Sequence, residues 1–221
     1  MRLTIVAATG GIGRHLLQQA VAAGHDVTAV VRDPEKLDVD VRAVKTDLTA
    51  PEPEALSSAF GGTDAVLSAL GPRTRKDLGI LAPGTRAVVD AMALAGAGRI
   101  LVVSGTGVST VPTPGNPNPS KREPGAGFRV NYIATPLARI VLGAHFADVA
   151  LMEDVLRGSG LDWTAVQVPL LTNGPLTGTY RQARGRRVRG GLRLARADAA
   201  HFMLRAIGRP ETFGHPITAA Y

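Results

Sequence analysis

The sequence predicts an α/β chain: a doubly wound, mostly parallel sheet flanked by helices. Two observations predict it. Short apolar runs that read as buried strands alternate with helix-spaced amphipathic stretches along most of the 221 residues. The first run ends in glycines that open directly into a helix, and its unbroken apolar character over residues 4–8 is that of a strand covered on both faces.

That first unit is Ala7-Ala8-Thr9-Gly10-Gly11-Ile12-Gly13, followed by helical spacing over 14–23 with Leu16, Leu17, Ala20 and Val21 on one side. It reads as a dinucleotide site. Gly10 lets the backbone approach a pyrophosphate, Gly13 lets the new helix pack on the strand, and the helix start offers free N–H groups to phosphates. Thr9, Gly10, Gly11, Ile12 and Gly13 are therefore candidate cofactor contacts. The pattern departs from the usual one, since alanine stands at position 7 where a first glycine is common, and a tight turn in any parallel sheet gives a similar signal.

A second strand over 27–31 ends at Arg32-Asp33-Pro34. An NAD site usually offers a carboxylate here, whereas Arg32 offers a guanidinium suited to a 2′-phosphate. Arg14 supports the same reading, because a cation in the first turn of a helix opposes the dipole unless an anion lies beside it. NADPH is thus the expected cofactor. The bland alternative leaves both arginines as solvated surface residues. Asp33 is expected to cap a short helix begun by Pro34.

A third strand over 41–45 leads to Asp47 and Leu48, with Asp47 either meeting an adenine amino group or capping a turn. A helix over 51–60 and a fourth strand over 64–70 follow. Leu70 and Gly71 mark the strand end where cofactor ribose would pass. Arg73, Arg75 and Lys76 lie in the next loop, before a helix over 81–97 closed by Gly98. The fifth strand, 99–103, delivers Ser104-Gly105-Thr106 to the carboxyl edge of the sheet, where ligands sit in such folds.

Residues 109–127 form a proline- and glycine-rich insertion with no regular element expected from 111 to 127. It reads as a substrate lid or as a disordered surface loop. A helix is expected over 131–157, bent at Pro136, then a sixth strand over 161–169 and a loop over 170–180. The seven arginines of 181–196 suit a solvated hairpin. Asp198 is expected to cap a last helix over 199–207, with a final strand over 216–219.

Composition narrows the function. The chain has 45% hydrophobic residues and no run of 18 uninterrupted apolar ones, so it reads as a single globular NAD(P)-binding domain over 1–221 that does not span a membrane. Zero cysteines exclude disulfides, thiolate metal sites and a cysteine nucleophile. With the first strand beginning near residue 4 and no leader expected, a cytoplasmic location fits best. The five histidines, His15, His25, His145, His201 and His215, lack ligand spacing, so no metal is expected. Net charge is +7, which a phosphorylated dinucleotide satisfies. Nucleic-acid binding is disfavoured because 181–196 holds no aromatic residue to stack on bases. Glu153 and Asp154 face either a cleft or solvent, as exposed helix carboxylates usually do.

Four stretches give the chain a family likeness: 7–13 as quoted, Val31-Arg32-Asp33, Val155-Leu156-Arg157-Gly158-Ser159-Gly160-Leu161 leading to Pro175-Leu176-Thr177-Gly178-Thr179-Tyr180, and Asp198-Ala199-Ala200-His201-Phe202-Met203-Leu204-Arg205. With these it resembles the atypical short-chain dehydrogenase/reductases that bind NAD(P)H, nearest to the biliverdin reductase B and flavin reductase group. The resemblance implies a Rossmann-like fold, NADPH as cofactor, and hydride transfer to a flavin or another conjugated or carbonyl small molecule. It implies cofactor contacts at Gly10, Ile12, Gly13, Arg32, Asp47, Leu48, Leu70 and Gly71. Some relatives sense NAD(P)H without turnover, and others are tailoring ketoreductases or isomerases. The family serine after the fifth strand aligns with Gly105, so Ser104 or Thr106 would substitute, with Tyr132 as a third candidate proton donor. No Tyr-x-x-x-Lys pair is present, because Pro136 follows Tyr132 at the lysine place. The expected partner is a small molecule, and the expected assembly a monomer or small homo-oligomer.

Overall fold

The computed structural model describes residues 1–221 except 73, 75, 76 and 129 and the side chains of 134, 136 and 139. The expected basic loop of Arg73, Arg75 and Lys76 lies outside the described residues. Ten strands and five α-helices follow in the order β1 (Arg2–Val6), α1 (Gly11–Ala22), β2 (Asp26–Val31), β3 (Arg42–Lys45), α2 (Pro53–Phe60), β4 (Ala65–Ser68), α3 (Leu81–Ala95), β5 (Arg99–Gly105), α4 (Thr135–Arg157), β6 (Asp162–Val168), β7 (Leu170–Thr172), β8 (Arg181–Arg184), β9 (Arg193–Ala195), α5 (Arg196–Ala206) and β10 (His215–Ala220) among the described residues.

Eight strands form one sheet in the order β3-β2-β1-β4-β5-β6-β10-β8, all parallel except the β8–β10 pair. The reversal of strand order beside β1 opens a crevice at the carboxyl edge. Alternation along the strands sends Val6, Val66, Ile100 and Val102 to the face covered by α2, α3 and α4. Leu3, Ile5, Leu67 and Leu101 point to the opposite face, under α1 and α5. Burial on both faces explains why the central strands read as continuous apolar runs.

Several local expectations are corrected. Strand β1 stops at Val6 rather than residue 8, because Ala7 takes a left-handed φ of 59°. Helix α3 ends on Gly96, whose φ of 70° closes it two residues before Gly98. The interior departure from helical geometry in α4 is at Leu142, φ −120°, and not at Pro136. Asp33 occupies the N-cap place of its short helix but gives its carboxylate to Lys36 Nζ at 2.6 Å.

The 181–196 stretch is no hairpin. Its first part, β8, pairs antiparallel with β10, and its last part, β9, pairs parallel with β7 in a second small sheet. Residues 170–172, expected as loop, supply that partner. Asp198 lies inside the first turn of α5 and does not cap it. Its carboxylate instead accepts from Thr177 N at 3.0 Å, Thr177 Oγ1 at 2.8 Å, Gly178 N at 2.8 Å and the Tyr221 hydroxyl at 2.6 Å.

Candidate active site

The turn between β1 and α1 is built by close backbone contacts. Ala7 N–H donates to Val30 O at 2.9 Å, tying the turn to β2, and Gly10 N–H donates to Ala7 O at 2.9 Å. A Cβ on Gly13 would overlap the Ala7 carbonyl oxygen, so only glycine fits there. Helix α1 then begins with no side-chain cap and no acidic residue in its first turn. An uncapped helix start with free N–H groups fits the pyrophosphate of a dinucleotide. Arg196 reaches this turn as well: a Cβ on Gly11 would lie 2.8 Å from its Nε, while its Nη1 donates to Asn173 Oδ1 at 2.6 Å.

Beside the turn, a narrow pocket is lined by Ala7, Thr9, Arg32, Leu48, Leu70 and Gly71, together with Thr46 and Asp77. Thr9, Arg32, Leu48, Leu70 and Gly71, separated by up to 62 positions, thus converge beyond the carboxyl ends of β1, β2, β3 and β4. Arg32 Nη1 stands 3.2 Å from Asp77 Oδ1, an ion pair the sequence did not reveal. Asp77 is set by Thr74, whose backbone N–H and hydroxyl donate to its Oδ2. Asp47 does not line the pocket. Its Oδ1 accepts from Thr49 N and Thr49 Oγ1, and these two bonds hold its carboxyl below the usual range. Arg14 is exposed on α1.

A second cavity of about 340 Å³ opens farther along the same edge, at the ends of β5 and β6. Its volume falls within the range of small-molecule sites. Apolar walls come from Val108, Phe146, Val149 and Val168, and polar groups from Thr106, His145 and Arg187. No residue of 111–127 lines it.

The three candidate proton donors lie apart in environment. Ser104 is 4% exposed and donates to Glu153 Oε1 at 2.6 Å, away from the cavity lining. Thr106 lines the cavity and accepts from Arg187 Nη2 at 2.6 Å. Tyr132 stands on the π-helical turn Val130–Ala134, 46% exposed, with its ring 4.5 Å from that of Phe128.

Glu153 is not a solvated helix carboxylate. It is 1% exposed and gathers Ser104, Gln167 Nε2 at 2.9 Å and Arg157 Nη2 at 2.8 Å. Only its i,i+4 relation to Arg157 is visible in sequence. Asp154 accepts from Gly115 N at 2.8 Å, and Glu123 Oε1 from Gly107 N at 2.6 Å, so the proline-rich insertion is fastened at both points. Arg187 and Glu123 were missed because an arginine run and a loop glutamate carry no local sign of pairing. Among the described residues, no cluster of acidic or histidine side chains could hold a metal.

The profile of a family described as NAD(P)H-binding matches residues 7–210. An uncharacterized protein of Mycobacterium tuberculosis is 32% identical over 105 residues, 47% of this chain and 12% of that protein. The match therefore spans about an eighth of that relative's length. Among solved structures, a short-chain dehydrogenase/reductase of Veillonella parvula in complex with NADP superposes with a TM-score of 0.77 at 16% identity, covering 100% of this chain and 94% of that one. A candidate NADH-flavin reductase of Streptococcus pneumoniae gives a TM-score of 0.74 at 24% identity, covering 100% and 99%. At these identities the structural likeness is one of fold.

Proposed function

The chain belongs to the NAD(P)H-binding family, and on that premise we propose that it is an NADPH-dependent oxidoreductase that transfers hydride to a flavin or another conjugated or carbonyl small molecule. The observation that carries this reading is the juxtaposition of an uncapped glycine turn, a pocket edged by Arg32 and a separate, largely apolar cavity along one sheet edge. Residues 1–221 act as one unit in it. The bound cofactor supplies the hydride. The chain's residues orient it: the α1 N-terminus holds the pyrophosphate, Arg32 pairs with the 2′-phosphate, and Leu48, Leu70 and Gly71 flank the adenosine half.

Asp77 tempers the preference, because a carboxylate beside the 2′-phosphate opposes it while also orienting Arg32. Fluorescence titration with NADPH and NADH tests the assignment. Wild type is expected to bind NADPH about tenfold or more tighter, R32A to bring the two together, and D77N to widen the gap, each factor of ten corresponding to about 1.4 kcal/mol. Equal binding of both nucleotides by wild type would remove Arg32 as selector.

The reading takes the partner to be a small molecule rather than nucleic acid or membrane, the location to be the cytoplasm, and the assembly to be a monomer or small homo-oligomer. Arg181, Arg187 and Arg196 each have a protein acceptor, which supports the exclusion of nucleic acid. A sensing role without turnover would share the pocket, but the second cavity, with Thr106, His145 and Arg187 set among its apolar walls, favours an enzyme.

A further inference from the structure

The cavity at the ends of β5 and β6 contains a hydroxyl held in one orientation. Thr106 N–H donates to Val168 O at 3.2 Å, fixing its backbone on the neighbouring strand. Its Oγ1 accepts from Arg187 Nη2 at 2.6 Å. A hydroxyl oxygen that accepts a charge-assisted bond keeps its own proton for another acceptor, and the bond polarises that proton. Among the described residues, Thr106 Oγ1 donates to none.

Arg187 is itself held. Its Nη1 lies 3.4 Å from Oε2 of Glu123, a residue 4% exposed, and its backbone N–H donates to Pro124 O at 2.8 Å. Glu123 in turn takes Gly107 N–H on Oε1, and its own N–H donates to Asn131 Oδ1 at 3.0 Å. The proline-rich insertion thus holds Arg187, which lines the cavity, through one carboxylate. Guanidinium and carboxylate offset each other, so the walls suit a neutral carbonyl better than an anion.

Resting on the oxidoreductase reading, we propose that Arg187 and Glu123 are positioning residues that aim the Thr106 hydroxyl at the carbonyl oxygen of a neutral, largely apolar aldehyde or ketone. The carbonyl carbon accepts a hydride from the reduced nicotinamide, forming a C–H bond while the C=O π pair moves onto oxygen. Thr106 donates to that developing alkoxide, and a proton from water completes the alcohol. The carbonyl is reduced by two electrons and the cofactor oxidised by two.

The test is NADPH oxidation with 4-nitrobenzaldehyde, 2,2,2-trifluoroacetophenone and FMN, alongside NADPH titration of every variant. Wild type is expected to reduce a carbonyl probe. The isosteric T106V should lower kcat about 100-fold with KM changed only a few fold, the scale for loss of one oxyanion donor. T106S should recover most of that loss, R187K and E123Q should lower kcat about tenfold or more, and all should bind NADPH within about twofold of wild type. Full kcat in T106V, equal losses in T106S and T106V, or no carbonyl turnover with NADPH still bound would overturn the proposal and leave the cofactor reading standing. Failure of wild type to bind NADPH would overturn both.

Discussion

Ala7 carries a strain that glycine relieves in the more usual form of this turn. Its φ of 59° places a Cβ in the left-handed region, which costs roughly 1–2 kcal/mol for an L-residue. Two bonds enforce it, from Ala7 N to Val30 O and from Gly10 N to Ala7 O. Glycine at this place loses more chain entropy on folding, by about 0.5–1 kcal/mol, so A7G should gain a net of roughly 0.5–1 kcal/mol in urea denaturation. G13A should do the opposite, losing about 3 kcal/mol or failing to fold, because its Cβ would overlap the Ala7 carbonyl. The sequence displays the departure at position 7. Its conformation follows from β2, which stands beside it only in the folded sheet.

At the scale of elements, Asp198 fastens the segment 177–180 to α5. Burial pushes its carboxyl up, but bonds from Tyr221, Gly178 and Thr177 outweigh this and hold it below the usual range. A depressed carboxyl contributes stability that is complete above its unfolded pKa of about 3.9 and is lost as pH falls through its lower folded value. D198N should therefore cost about 3 kcal/mol at neutral pH, by leaving donors without their acceptor, and the gap to wild type should narrow as pH drops below about 4. Thermal melts of both proteins from pH 7 to pH 3 measure this. An unchanged gap across that range would remove Asp198 from the acid limb. An Asp in a first helical turn reads locally as a cap, and the four donors that claim its carboxylate come from 177–178 and 221.

For the whole molecule, the charge of +7 makes its surroundings attractive to a polyanionic cofactor. NADPH affinity should fall severalfold between about 50 and 500 mM salt, as screening shortens the reach of these charges. Titrations at the two salt concentrations measure it, and an affinity independent of salt would limit the charge effect to groups in direct contact. Among the described residues, no helix is long and apolar enough to cross a membrane. Exposed Arg42 and Lys45 on β3, and Arg181 and Arg184 on β8, mark both edges of the eight-stranded sheet with charge, which discourages pairing with another chain.

What the sequence alone determined is periodic or covalently local. The apolar runs specify parallel strands, helical spacing places α1 to α5 between them, and the glycine turn with Arg32 at the end of the next strand carries the expectation of a nucleotide site. Hydrophobic burial acts at every second or every three to four residues, so its pattern is written in the chain. The cavity at the ends of β5 and β6 is different. Thr106, Glu123 and Arg187 lie 17 to 81 positions apart, and Glu153 meets Ser104 across 49. Buried polar groups take whatever partner the packed elements bring within about 3 Å, and only the tertiary structure decides which one arrives.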